Sequence, residues 1–211
     1  MGRIVLPGEA VSDKAERIAY SFVENGKTYA TVLSLMNDEG RLIPLEGPYE
    51  PLVDDYVIGV VTYVKFVGYT VEMNSPYEGF LSSRETRDKF ELADVVFAKI
   101  RSVDEVKNIN LTDARMLREG RLVSVSAVKV PRIIGKKNSM LNMIKEATGC
   151  EIFVGRNGLI WMSREGDVNL AIRTIEMIER EAHVPGLTDR VGKYLSENKK
   201  AGASQSAAPS Q

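Results

Sequence analysis

The stretch from Val128 to Met162, VKVPRIIGKKNSMLNMIKEATGCEIFVGRNGLIWM, restricts this chain more than any other. A β-branched run reaches Pro131, whose fixed φ and missing N–H end a strand and favour a helical turn. Gly135-Lys136-Lys137-Asn138 then opens an amphipathic helix, with Met140, Leu141, Ile144 and Ala147 recurring on one face. Gly149 closes that helix. Two apolar strands follow, joined by Gly155-Arg156-Asn157-Gly158. Helix and strand alternating over so short a span predict a small α+β unit. The Gly-Lys-Lys loop places backbone N–H groups and two cations at a helix N-terminus, a combination suited to a nucleic-acid backbone.

Charge supports a local contact rather than a coat. The net formal charge is −1, which argues against binding through a global basic field. Residues 122–164 carry 7 basic and 2 acidic side chains, a net of +5, while 1–52, 53–121 and 165–211 come to −3, −2 and −1. No run of about 18 apolar residues suggests a membrane span, and no secretory signal is visible at the start of the chain. A single cysteine, Cys150, excludes an internal disulfide framework and fits a reducing, cytoplasmic setting.

Residues 1–52 read as an N-terminal β-hairpin domain, with Asn25-Gly26 and Asp38-Glu39-Gly40 as turns and Pro44, Pro48 and Pro51 as its boundary. Residues 53–121 give three strands (55–66, 68–75, 78–83), a charged helical piece (83–91) and two more strands (94–104, 108–115). That is the outline of a five-stranded OB-type barrel. Residues 122–195 read strand (122–130), short helix, loop, helix (139–149), two strands and a long helix (165–183). The last helix carries Leu170, Ile172, Ile175, Ile178 and Ala182 as its stripe, is capped by Asp167 and is stopped by Pro185-Gly186. From Ser196 the composition predicts a disordered tail, 196–211.

The order strand, helix, GKKN, helix, strand, strand, helix resembles a type I KH domain, and the barrel before it resembles an S1 domain. The whole is similar to the RNA-binding cap subunits of the archaeal exosome over roughly residues 3–195. The matching text is LPGE (6–9), MNSPYEGFLSS (73–83), NINLT (108–112), KVPRIIGKKNSM (129–140) and GRNGLIWM (155–162). One departure stands out: the KH loop has glycine at both ends of GxxG, whereas this chain has Asn138 in the fourth position. Asparagine tolerates a left-handed backbone better than other non-glycine residues, so the loop can keep its shape, with added bulk near the phosphate.

By this resemblance the chain is a non-catalytic RNA-binding cap. It would sit in three copies, alone or mixed with a second cap protein, on a hexameric ring of RNase-PH-like subunits. The N-terminal domain would dock on the ring, and the S1 and KH surfaces would guide single-stranded RNA in for 3′-to-5′ degradation. The alternative is a free-standing S1/KH protein of translation or ribosome maturation. An appendage of polynucleotide phosphorylase is disfavoured, because that enzyme places KH before S1 and needs two large catalytic domains.

The candidate RNA contacts are Arg132, Gly135, Lys136, Lys137, Asn138 and Arg156 on the KH unit, with Lys65, Phe66, Tyr69, Lys99 and Arg101 on the barrel. Cations at a helix N-terminus are unfavourable without a bound anion, which favours a phosphate contact for Lys136 and Lys137 over a merely solvated surface. Phe66, Tyr69, Tyr77 and Phe80 lie on or beside the face where OB barrels stack bases. Strand alternation sends half of such aromatics inward, so Phe66 and Tyr69 are kept and Phe97 is assigned to the core. Gly155, Asn157 and Gly158 are expected to serve as a structural turn, which the resemblance also packs against the barrel. Trp161 is expected in the core, Cys150 buried, and His183 as a helix cap. No P-loop, no Cys/His cluster and no nucleophile–base pair occurs, and Asp54-Asp55 and Asp104-Glu105 read as turn residues. No enzymatic activity, metal or cofactor is therefore expected.

Overall fold

The computed structural model describes residues 3–205 except 17, 19, 46, 87, 183 and 185, and for 199–205 the backbone path alone. The capping role expected of His183 and the Pro185 stop thus fall outside the described residues. The chain divides between Pro48 and Tyr49 into two compact units.

The first unit holds two three-stranded antiparallel sheets. Strands β1 (Arg3–Val5), β5 (Ser34–Met36) and β6 (Leu42–Pro44) lie in the order β1-β5-β6. Strands β2 (Ala10–Ser12), β3 (Ser21–Glu24) and β4 (Lys27–Ala30) lie in the order β2-β4-β3. Asn25 and Gly26 both take positive φ (50° and 78°) between β3 and β4, the backbone a two-residue hairpin requires. Between β5 and β6 the Asn37 side chain accepts from the N–H groups of Glu39 (3.1 Å) and Arg41 (2.8 Å). Val5, Ala30 and Leu42 form the small core.

The second unit begins with a closed barrel: β7 (Tyr56–Lys65), β8 (Gly68–Glu72), β9 (Gly79–Ser82), β10 (Val95–Val103) and β11 (Ile109–Leu117), in the order β10-β11-β9-β8-β7. Its interior follows period-2 alternation, with Val96, Ala98 and Ile100 from β10 meeting Val57, Val61, Val71, Leu81 and Leu111. The 83–91 connector is a series of turns rather than the expected helix. Glu85 N–H donates to Ser82 O (3.0 Å) and Asp88 N–H to Thr86 Oγ1 (3.1 Å). Phe90 is its only buried residue among those described, and one apolar side chain makes no stripe to hold a helix down.

The α+β unit follows. Strands β12 (Gly120–Ser124), β13 (Ile152–Val154) and β14 (Leu159–Ser163) form an antiparallel sheet in the order β12-β14-β13. Helices α1 (Val130–Ile134), α2 (Ser139–Thr148), α3 (Val168–Glu181) and α4 (Leu187–Gln205) cover it. Connectivity and sheet order are those of the expected KH architecture. The expected strand 122–130 stops at Ser124: Ala127–Lys129 form a 3-10 turn, and Pro131 sits in the first turn of α1, so the last β-branched residue, Val130, is drawn into the helix. Asp167 caps α3 as expected, its Oδ1 accepting from Leu170 N–H at 2.9 Å. Helix α4 was not foreseen. It packs Leu187, Val191 and Leu195 into the core beside α2 and α3 and continues past Ser196, where the tail was expected to start.

Barrel and KH sheet share a seam. Strand β7 is buried on both faces: Val57 and Val61 point into the barrel, while Ile58 joins Leu117 and Trp161 between the two domains. Phe97, expected in the barrel core, instead packs in this seam. Trp161 is buried as expected, but against the barrel rather than under the KH helices. Tyr56, Phe97, Phe153 and Trp161 form a continuous row with centroid spacings of 5.3, 5.1 and 5.8 Å. A Cβ on Gly120 would overlap the Trp161 indole, so only glycine fits there.

The turn 155–158 fixes the seam. Asn157 is wholly buried. Its Oδ1 accepts from Ile58 N–H (3.2 Å), and its Nδ2 donates to Ile58 O and Met73 O (2.6 Å each). Its own carbonyl accepts from Asn74 Nδ2 at 3.1 Å, and Arg156 N–H donates to Tyr56 O at 2.8 Å. Replacing Asn157 by alanine strands three buried backbone groups. We expect N157A to lose roughly 3 kcal/mol or more, read as a lowered urea midpoint; an unchanged midpoint would show that water replaces the amide without cost.

Candidate nucleic-acid interface

The loop between α1 and α2 is shaped by its backbone. Gly135 has φ 73°, and a Cβ there would come within 2.8 Å of Met140 N. Lys137 (φ 52°, ψ 40°) and Asn138 (φ 62°, ψ 16°) are both left-handed. Asn138 therefore adopts the conformation that glycine would supply, and α2 starts at Ser139. Arg132, Lys136 and Lys137 are exposed around this loop, and among the described residues none of them has an ion pair. Unpaired cations at a helix N-terminus fit an anionic ligand.

Beside the loop a groove of about 560 Å³ runs between the KH sheet and the barrel. Ile134, Leu141 and Ile152 contribute its apolar side, Asn138 and Lys145 one rim, and Tyr56, Phe97 and Phe153 an aromatic wall. At the barrel end two carboxylates hold two of the candidate cations. Lys99 Nζ lies 2.7 Å from Asp54, and Arg156 Nε lies 3.5 Å from Asp55. The hydrogen bond to Asp54 raises the Lys99 pKa. Asp55 also accepts from Tyr49 Oη at 2.7 Å, and burial, reinforced by that carboxylate, pushes the Tyr49 phenol far above its ordinary range. Arg156 is thus part of the groove wall, and Lys99 is held by a carboxylate of that wall, so neither is a free phosphate hook.

The barrel presents a second surface. In register across its strands, Tyr63 faces Thr70, Thr70 faces Phe80, Phe80 faces Asn110, and Asn110 faces Ser102. A hollow of about 270 Å³ beside this rung is lined by Phe80, Ser82, Arg101, Ser102 and Asn110. Arg101 pairs there with Glu85. Lys65 ends β7, and Phe66 at the β7–β8 turn is fully exposed. Tyr69 is a correction: it is buried inside the barrel, edge-on to Phe90 at 5.2 Å, because it pairs with inward-facing Leu81. Among the described residues no cluster of His, Cys, Asp or Glu could hold a metal, and no helix is long and apolar enough to cross a membrane.

Residues 120–166 match the KH domain family. The exosome complex component Rrp4 of Pyrococcus furiosus is 41% identical over 198 residues, which cover 83% of this chain and 75% of that protein. The chain belongs to the Rrp4 family. The Rrp4 of Methanothermus fervidus is 40% identical over 210 residues, covering 91% of this chain and 94% of its own length. A crystal structure assigned as an exosome complex RNA-binding protein superposes with a TM-score of 0.66 at 31% identity, over 74% of this chain and 99% of that one.

In this member of the Rrp4 family the structure brings Arg132, Gly135, Lys136, Lys137 and Asn138 together at one loop, and sets Arg101 beside Phe80 on the barrel. Sequence reasoning passed over Tyr56, Tyr63, Asn110, Lys145 and Phe153. Tyr63 was hidden by a bulge between Val61 and Tyr63, which reverses the face predicted by alternation from Val57 and Val61. The left-handed backbone at Lys137 makes a local prediction. K137G should be about 1 kcal/mol more stable than K137A in chemical denaturation, since only glycine adopts this backbone without strain; equal stabilities would place Lys137 in an ordinary helical conformation.

Proposed function

We propose that this chain is a non-catalytic RNA-binding subunit of an archaeal exosome, capping the RNase-PH-like ring and leading single-stranded RNA into it for 3′-to-5′ degradation. The observation that carries the reading is the Asn157 lock, which holds the KH groove and the barrel rung in one fixed relation. A strand is then met by two surfaces whose separation does not vary, and the cost of ordering each contact is reduced by the other. Arg132, Lys136 and Lys137 track phosphates at the loop. Phe66, Tyr63 and Phe80 stack bases on the barrel, each worth about 1–3 kcal/mol.

The N-terminal unit suits docking on the ring. Ile4, Leu35 and Ile43 form an in-register row across β1, β5 and β6, with Ile4 60% and Ile43 48% exposed. An apolar rung left open on a small sheet fits a protein partner better than RNA. Three copies, alone or beside a related cap protein, would surround the ring's pore in the cytoplasm.

Two measurements test the reading. Mixed with the ring subunits, the wild-type chain should co-elute with them, and I4R/I43R should elute alone while keeping its RNA affinity. A wild-type chain that stays monomeric beside the ring would favour a free-standing RNA-binding module. For RNA, K136A/K137A should weaken binding and flatten the plot of log K against log salt by about 0.7 per lost phosphate contact. An unchanged slope would reduce these lysines to a solvated surface.

A further inference from the structure

On the side of the seam away from the groove lies a cleft of about 580 Å³, built from the approach to β10, the β11–β12 turn and the end of β14. Trp161 is 5% exposed and lines it. The Nε1 edge of the indole lies against Gly120, which also lines the cleft and has no side chain to cover it. Among the described residues Nε1–H has no hydrogen-bond acceptor. That N–H is not sealed from solvent, so it can donate to whatever enters the cleft.

The rim is charged and unpaired. Lys89, Arg118 and Arg164 line the cleft, and among the described residues none of them forms an ion pair; Arg118 Nε donates only to Met116 Sδ, at 2.9 Å. Glu91 and Glu119 line it too, equally without a cation. Asp94 is spoken for, its Oδ2 accepting from Glu91 N–H at 2.7 Å. Opposite charges that share a cleft without meeting each other suit a ligand that bears both acceptors and donors. A bare oxyanion would satisfy the cations and repel the carboxylates. A nucleotide of an RNA strand satisfies both: its phosphate takes the cations and the indole N–H, and its exocyclic amino or 2′-hydroxyl groups donate to the carboxylates.

We propose that this cleft is a second single-stranded RNA subsite, joined to the groove by the aromatic row Tyr56–Phe97–Phe153–Trp161. The proposal rests on the RNA-binding reading above and extends it to the opposite face of the seam. A strand long enough to pass round the domain junction would occupy both.

Trp161 is the chain's one tryptophan, so its emission reports on the cleft directly. The full chain is titrated with a 20-nucleotide mixed-sequence oligoribonucleotide, following both fluorescein anisotropy on the RNA and Trp161 emission. In the wild type both signals should change together. R118A/R164A should lose the Trp161 response, bind on the order of tenfold more weakly at 0.1 M salt, and show a salt slope shallower by about 1.4. K136A/K137A should also bind more weakly but keep the Trp161 response. Anisotropy and slope unchanged in R118A/R164A would overturn the subsite while leaving the loop reading intact. A Trp161 response to poly-glutamate but not to RNA would overturn it in favour of a protein contact. No binding of RNA by the wild-type chain even at low salt would overturn both readings together.

Discussion

One buried carboxamide organises the larger unit of this protein. Asn157 uses its acceptor and both donors on barrel backbone and is shielded from water, where an unmet polar group would be most costly. Its surroundings are built for it. A Cβ on Gly155 would strike Asn157 Oδ1 and Ile58 N, and one on Gly158, at φ 83°, would strike Val125 O. Apolar packing of Ile58, Leu117 and Trp161 supplies the non-directional attraction, and the amide supplies the registry. Without that registry the groove and the barrel face would be two weak sites on a hinge.

Much of the architecture was legible in the residues. The succession of strands over 53–121 marked the barrel, the helical stripes of α2 and α3 marked the KH layer, and Asp167 marked a helix start. What escaped was set by tertiary context. Asn-Gly occurs at 25–26 and again at 157–158. At the first, both residues take positive φ in an exposed hairpin. At the second, only Gly158 does, and Asn157 is turned into the barrel. No local rule separates two identical dipeptides; the difference lies in what stands opposite them. Tyr69 failed for a related reason, since its face depends on its register with Leu81 rather than on its own neighbours in sequence. Helix α4 escaped because its three anchoring residues are followed by a polar, small-residue stretch whose composition outweighed them.

The candidate site was legible by residue type and less so by availability. The loop cations stand free, as their placement at a helix start implied. Lys99, Arg101 and Arg156 were read as equivalent to them, yet each faces a carboxylate from the barrel or its approach, at Asp54, Glu85 and Asp55. Exposed pairs of this kind are weak and screened by salt. Their effect is to lower the local positive potential at the barrel end of the groove and at the barrel hollow, leaving the unpaired cations at the loop.

Strand β7 carries a further consequence. Within ten residues it lines the barrel interior at Val57 and Val61, the domain seam at Ile58 and, after the bulge, the outer aromatic rung at Tyr63. The surface that would meet RNA and the core that keeps the chain folded are therefore written on a single stretch of backbone. Closing the bulge without shortening the strand would put Tyr63 on the same face as Val57 and Val61, bringing the tyrosine into the barrel or the valines out of it. Recognition in this protein cannot be retuned along that strand without renegotiating the fold.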